Sequence, residues 1–437
     1  MRRSEARLRT IIIAALLAAL PVLPSFATGT AGNLDPSFGT GGRVIGTFYG
    51  WASAVALQLD GKIVVAGTAD VKPGKFGFAL VRYNPDGTLD SSFGRNGKVT
   101  TGFGDGAEVT AVVVQSDGKI VAAGRSGPTG EGSRFFALAR YLTDGTLDRS
   151  FGRRGKVTTD FLGGENGIAD LVLQPDGKIV AGGWASTASA LVFRFAVARY
   201  RTDGTLDRSF GSGGKVTTKL RNGSAGLAAL ALQHDGKILA GGSTRGDIAV
   251  VRYRPDGTVD PSFGTGGRVF TDFGRGDGLS DLVVQLDGKI LAGGATTPRG
   301  GSPNESVFAL ARYRPDGRLD PRFGSRGKVT TDLPGTLGTA ALALQPDGEI
   351  VAVGTVTRPA LRPSSRLVVA RYNVDGQLDP GFGVGGVVTT AFRGESGAAD
   401  VVLQTDGRIV VVGSTASRRS GEFPFWSYFI VARYLAT

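Results

Sequence analysis

Residues 164–218 read GENGIADLVLQPDGKIVAGGWASTASALVFRFAVARYRTDGTLDRSFGSGGKVTT. Four short apolar runs stand out: Asp170–Gln174, Lys178–Trp184, Phe193–Tyr200 and Gly214–Thr218. Asp176-Gly177 and Asp203-Gly204 between them are two-residue hairpin-turn signals. Turns at intervals of about 10–15 residues, with no helical period, predict four strands, here A to D. A, B and C are apolar on both faces, as expected of a sheet covered on both sides. A propeller blade meets that condition, because each four-stranded sheet is packed between two others.

The unit recurs along the chain. Leu-Asp-x-x-Phe-Gly begins at Leu34, Leu89, Leu147, Leu206, Val259 (Val replacing Leu), Leu319 and Leu378, with starts 53–60 residues apart. Such a period, built from strands, points to a propeller or similar array. The last unit has strand A (Asp400–Gln404), strand B (Arg408–Gly413) and strand C (Phe429–Tyr434) but no D. An unpaired D segment, Arg43–Phe48, stands near the start. The expectation is an all-β, seven-bladed propeller of four-stranded antiparallel blades. Strand 43–48 pairs with strand 429–434 to close the ring.

Residues 1–27 differ from the rest. Arg2, Arg3, Arg7 and Arg9 precede the apolar run Ile11–Leu20, followed by Pro21, Pro24 and the small-residue site Ser25-Phe26-Ala27. This is the layout of a secretory signal peptide, and the run is short for a membrane span. Residues 1–27 are therefore read as a cleaved signal and 28–437 as one propeller. The expected location is secreted, periplasmic or cell-surface, with no transmembrane span after cleavage. The chain has no Cys, which excludes disulfides, thiol catalysis and Cys-ligated metals. Gly is abundant, at 70 residues, and stands beside Asp at fixed offsets, as turns require. The net charge of +12 favours anionic surfaces.

The repeated form LDxSFGxxGKV…LxLQxDGKIvvaG…FALARYxxDG is carried in one unit by Leu147-Asp148, Phe151-Gly152, Lys156-Val157, Gln174, Asp176-Gly177-Lys178 and Arg199-Tyr200. It resembles the bacterial delta-60 repeat family over residues 34–437. The resemblance implies a β-propeller-like fold and export, and brings no catalytic residue with it. Glu349 departs from the pattern, since the other units have Lys or Arg after Asp-Gly; Val259 is a second departure.

A residue present in every unit serves the unit. The Arg-Tyr pairs that end each C strand are expected to pack, with Arg meeting a motif Asp such as Asp90 or Asp148. The Gln set (Gln58, Gln115, Gln174, Gln233, Gln285, Gln345 and Gln404) is expected to bond backbone. The Asp-Gly-x-Leu-Asp segments lack EF-hand spacing. No P-loop, HExxH or GxSxG occurs, and the single His, His234, lies in a turn. That argues against a Ser-His-Asp hydrolase.

The B–C and D–A connections vary and emerge on one face, where function is expected. Tyr49 and Trp51 (D–A connection) and Arg418, Arg419, Trp426 and Tyr428 (last B–C loop) form an aromatic-basic candidate site, extended by Arg358, Arg362 and Arg366. Such groups suit sugar stacking or a protein anchor. Asp170, Asp281 and Asp400 stand four residues before Gln in the third, fifth and seventh units. They offer oxygen ligands for Ca2+ at the channel mouth, against a plainer role capping backbone amides. The expected function is a non-enzymatic binding or scaffold module at the cell envelope, monomeric. Its partner is a polysaccharide or protein and not a specific nucleic acid. The rival is a propeller enzyme, such as a quinone-dependent dehydrogenase or polysaccharide lyase.

Overall fold

The structure, a computed structural model, describes residues 30–128, 133–220, 223–299, 306–333, 335–358, 364–417 and 426–436. The expected signal peptide lies outside these residues. Among the described residues all the regular elements are strands. The first group is β1 (Arg43–Leu57), β2 (Ile63–Lys72), β3 (Lys75–Tyr83) and β4 (Lys98–Thr101). Next come β5 (Ala107–Val114), β6 (Ile120–Ser126), β7 (Phe135–Tyr141) and β8 (Lys156–Thr159). They are followed by β9 (Gly163–Leu173), β10 (Ile179–Thr187), β11 (Ala190–Tyr200) and β12 (Lys215–Thr218). Then come β13 (Ala225–Leu232), β14 (Ile238–Thr244), β15 (Asp247–Tyr253) and β16 (Arg268–Thr271). The group β17 (Arg275–Val284), β18 (Ile290–Thr297), β19 (Val307–Tyr313) and β20 (Lys328–Thr331) follows. The last are β21 (Thr336–Leu344), β22 (Ile350–Arg358), β23 (Ser364–Tyr372) and β24 (Val387–Thr390), then β25 (Glu395–Leu403), β26 (Ile409–Ser417) and β27 (Trp426–Tyr434).

This is an all-β propeller of antiparallel sheets, but the expectation of seven separate four-stranded blades is corrected. Five sheets have that form, and the other seven strands make one sheet in the order β25-β26-β27-β1-β2-β3-β4. The cause is β1. It runs 15 residues without a turn. Arg43, Val44, Ile45 and Tyr49 pair with Ala432, Val431, Ile430 and Tyr428 of β27. Gly50 through Leu57 then pair with β2. The strand pairing between the chain ends is present, but β1 does not stop at Phe48. Gly50 makes the change of partner possible: its φ is +151°, and a Cβ there would lie 2.1 Å from the Thr68 carbonyl. Only glycine fits such a place.

Each apolar layer lies between neighbouring sheets. Val64, Ala66 and Leu80 meet Val109, Ile120 and Ala137 in one layer. In the layer at the seam, Val55, Val65 and Val81 meet Val410, Val412 and Val431, so the two arms of the seven-stranded sheet pack on each other. Packing passes from β1 to β5, β9, β13, β17, β21 and β25 and returns to β1, which closes the circuit.

The repeat motif is the fastener of this circuit. Each motif Asp receives the guanidinium of the Arg eight positions before it, with Nε–Oδ2 distances of 2.7–3.0 Å from Arg82–Asp90 to Arg312–Asp320. At the seam the same pair is Arg433–Asp35 at 2.9 Å. The motif Phe lies buried under the guanidinium, 4.5–4.8 Å from its carbon. The motif Gly donates to the Asp-Gly turn of the next unit, as in Gly152 to Asp203 at 2.8 Å. Tyr141, Tyr200, Tyr372 and Tyr434 donate to Thr101, Thr159, Thr331 and Thr390 of the preceding unit at 2.7–2.8 Å. Arg-Tyr is therefore scaffold, as its recurrence predicts.

Candidate functional site

Strand β1 sets out the site. Its side chains alternate, as period-two geometry dictates, and Arg43, Ile45, Thr47, Tyr49 and Trp51 all point to solvent. Ile45 is 45% exposed, Tyr49 52% and Trp51 41%. Two aromatic pairs brace the far end of this stripe. Tyr49 and Tyr428 have ring centroids 5.1 Å apart, and Trp51 and Phe76 5.2 Å apart. On the opposite side of the strand Phe48 packs on Phe429 at 5.8 Å. Lys98 stands over Phe48 and donates to Thr47. At its near end the stripe borders a cleft of about 650 Å³, whose lining includes Arg43, Ile45, Phe392 and Arg393.

The sequence-derived candidates fall out unevenly. The structure places Tyr49 and Trp51 on the continuous strand β1 and not in a D–A connection, and sets Tyr49 against Tyr428, which lies on β27 and not in a loop. Arg418, Arg419 and Arg362 lie outside the described residues. Trp426 opens β27 opposite Ser417, and Arg358 ends β22 opposite Ser364. Arg366 lies on β23 opposite Val356, away from β1 in the strand order. Sequence reading missed Ile45, Phe76 and the cleft residues Phe392 and Arg393. Only the alternation in RVIGTFYGW could have found the first.

The three aspartates share one geometry. Each follows a single-residue β-bulge in its strand, marked by register shifts at Ile168/Asp170, Leu279/Asp281 and Ala398/Asp400. A bulge frees local amides from the ladder, and the carboxylate takes them. Asp170 accepts from Leu171 at 2.7 Å and from Leu230 of the next inner strand at 2.9 Å. Asp281 accepts from Leu282 and Leu342 at 2.8 and 2.9 Å. Asp400 accepts from Val401 and Val55, both at 2.9 Å, and so ties β25 to β1 across the seam. The partner amide always follows an Ala (Ala229, Ala341 or Ala54), which accounts for the alternation of Asp and Ala.

Among the described residues a different trio, Asp247, Asp272 and Asp277, brings carboxylate oxygens within 4.8 Å of one another. Oxygen ligands of this kind suit a hard divalent cation. Asp277 already accepts from Phe273 and Thr296, and Asp272 meets Arg299 at 2.7 Å. The Gln set closes each A–B turn through its backbone, as in Gln58 N–H to Lys62 O at 2.9 Å. Its side chains are less engaged than expected. The Oε1 atoms of Gln115, Gln174, Gln233, Gln285 and Gln345 are buried without a hydrogen bond. Gln58 and Gln404 accept from Arg82 and Arg433 at 3.2 and 3.3 Å. No helix among the described residues is long and apolar enough to cross a membrane.

Fold and surface define a propeller-like tandem-repeat protein with an exposed face on β1. The chain matches the family described as a domain of unknown function (DUF5122) beta-propeller at residues 58–93, 115–151, 174–210, 233–263, 285–323 and 345–382. Every matched segment starts at the repeat Gln and ends at the motif Phe, so the match covers scaffold and omits β1. A search of curated proteins found no match. Among solved structures, the chain is similar to a protein from Lactobacillus plantarum (13% identity, 83% of this chain and 94% of that one, TM-score 0.46). It is also similar to a gluconolactonase from Xanthomonas campestris (14%, 94% and 99%, TM-score 0.37). A third is an α-L-arabinofuranosidase from Fusarium graminearum (11%, 74% and 92%, TM-score 0.41). At these scores the likenesses carry no functional argument.

Proposed function

We propose that this protein is an exported, non-enzymatic binding module of the delta-60 repeat type, acting at the cell envelope and holding an extended polysaccharide or protein segment along β1. The observation that carries the reading is the solvent-facing stripe Arg43, Ile45, Thr47, Tyr49 and Trp51. Soluble domains leave large apolar side chains exposed singly; a row of them on one strand marks a contact surface. Aromatic faces at one end suit the apolar faces of sugar rings or a peptide's hydrophobic side chains. Arg43 and Arg393, at the cleft end, offer guanidinium forks to carboxylates. Nothing in the motif set supplies a general base or nucleophile, which leaves binding as the simpler reading.

The test is a glycan array and a pull-down from envelope extract, run with the wild-type protein and with Tyr49→Ala/Trp51→Ala. Both side chains are half exposed, so the variant stays folded with at most a modest fall in melting temperature. Binding that drops at least tenfold in the variant supports the site. Binding that is unchanged removes it, and turnover of a bound glycan would replace the reading with an enzymatic one.

A further inference from the structure

One stretch of the surface gathers exposed arginines. The strand directions put the A–B turns and the C–D loops at one end of the ring, opposite the B–C and D–A connections. At that end the C–D loops are interlocked by backbone hydrogen bonds. Gly152 donates to Asp203, Gly211 to Asp256 and Gly264 to Asp316, at 2.7–2.8 Å. The loops 142–155, 201–214, 254–267 and 314–327 thus form one continuous arc of rim. The first carries exposed Arg149, Arg153 and Arg154, the second Arg201 and Arg208, and the third Arg254. The fourth carries exposed Arg314, Arg318, Arg322 and Arg326. Against these ten stand four exposed aspartates, Asp144, Asp203, Asp256 and Asp316, each already accepting bonds within its own turn. The loops that complete the rim, 33–42, 84–97 and 373–386, hold Arg95 alone.

These arginines are available. Among the described residues only Arg201, Arg254 and Arg318 have a carboxylate within reach, at 3.8–4.0 Å. The lysines of the A–B turns at the same end are different, because each meets the Asp of its own turn, as Lys119 meets Asp117 at 2.8 Å. Two of the rim arginines also sit where backbone geometry disfavours them. Arg154 has φ +55° and Arg326 +53°. The other units have Gly41, Asn96, Gly213, Gly266 and Gly385 there. A left-handed conformation is unfavourable for a side chain of this kind, so the arginines are kept against the local backbone preference.

We propose that this arc is a second binding surface, for an anionic polysaccharide bearing carboxylate or sulfate groups. Guanidinium forks bind such groups bidentately, and a continuous row of them matches a chain with charges at regular intervals. None of the exposed large apolar side chains lies in the four loops. That disfavours single-stranded nucleic acid, which needs stacking platforms; aliphatic Leu286 and Val374 stand exposed at the same end of the ring, so an anionic lipid surface is the rival that the vesicle measurement below tests. The surface is independent of the β1 stripe at the seam.

The experiment measures binding of polygalacturonate and heparin to the purified protein at 50 and 300 mM salt, with duplex DNA and anionic phosphatidylglycerol vesicles alongside. The variant is Arg149→Gln/Arg154→Gly/Arg322→Gln/Arg326→Gly. Its two glycines relieve the left-handed positions, so the melting temperature stays level or rises while polysaccharide affinity falls on the order of tenfold or more, a loss that high salt reproduces in the wild type. The control Lys72→Gln/Lys75→Gln removes charge at the opposite end and keeps full affinity. Equal loss in the control, unchanged affinity in the rim variant, or equal affinity for DNA or vesicles overturns the proposal.

Discussion

Replacing Asp400 by alanine removes the carboxylate that joins the last inner strand to the first. Its two oxygens accept the amides of Val401 and Val55, each at 2.9 Å, at a site only 6% exposed. Alanine fits, because Ala54, Ala111, Ala229 and Ala341 occupy the same place in other units. The loss is therefore of hydrogen bonding and not of packing. Two amide bonds to a charged acceptor contribute about 1.5–3 kcal/mol each, and removing the buried charge returns part of that. A net destabilisation of about 2–4 kcal/mol follows. For a chain of this size it lowers the melting temperature by about 3–5 °C. Asp170→Ala and Asp281→Ala remove the same pair of bonds between other strands and fall in the same range. The assay is urea or thermal denaturation followed by circular dichroism, with and without EDTA and calcium. A change below about 0.5 kcal/mol would refute the latch. A wild-type melting temperature that falls with EDTA and recovers with calcium would show that these carboxylates serve an ion instead.

Other outcomes follow from the same geometry. Burial alone would raise the Asp207 pKa, but the Ser209 hydroxyl and amide and the Arg199 charge more than offset it and lower it to about 2. Because the folded value lies below the unfolded one, near 3.9, this contribution is present above pH ~4 and is lost as pH falls toward 2; acid titration by circular dichroism should show stability falling through that window, and a flat profile contradicts it. Glu349 is raised by burial, opposed by Arg371 and pushed further by Asp347 and Asp379. Its ionised form is thus a cost that appears as pH rises through the folded value. Glu349→Lys, which restores the contact seen between Lys62 and Asp90 at 3.2 Å, should stabilise by about 0.5–1 kcal/mol at pH 7. A lower denaturation midpoint would contradict that. Gly50→Ala meets both a left-handed backbone and the Thr68 carbonyl, and should cost about 2–4 kcal/mol by chemical denaturation; a neutral result would mean that β1 does not turn there.

Most of the scaffold was legible because it repeats. Asp-Gly turns placed the hairpins, and Arg82 and Arg140 meet Asp90 and Asp148 as a recurring pair should. The run RVIGTFYGWASAVAL reads as a D strand that ends at Phe48 and a connection holding Tyr49 and Trp51, because the D segments of the other units are short. Gly50 in fact allows one strand to serve two partners, which merges two sets of strands into one sheet and leaves five separate four-stranded blades. Asp170, Asp281 and Asp400 were visible as an alternation, but their bonding depends on bulges that composition does not reveal. The rim arginines were visible only as net charge, because their continuity comes from hydrogen bonds between loops about 60 residues apart in sequence.

The most direct test of the account is a cross-link at the seam. Arg43 and Ala432 are directly opposed on β1 and β27, and antiparallel neighbours lie within disulfide reach. The chain has no other Cys, so Arg43→Cys/Ala432→Cys can form only one intramolecular bond. A ring closed by β1 predicts complete loss of free thiols in a monomer, faster migration on a non-reducing gel and a stability gain of up to about 5–6 kcal/mol from closing so long a loop. Thiols that stay free, or that cross-link only between molecules, would contradict a ring closed by β1.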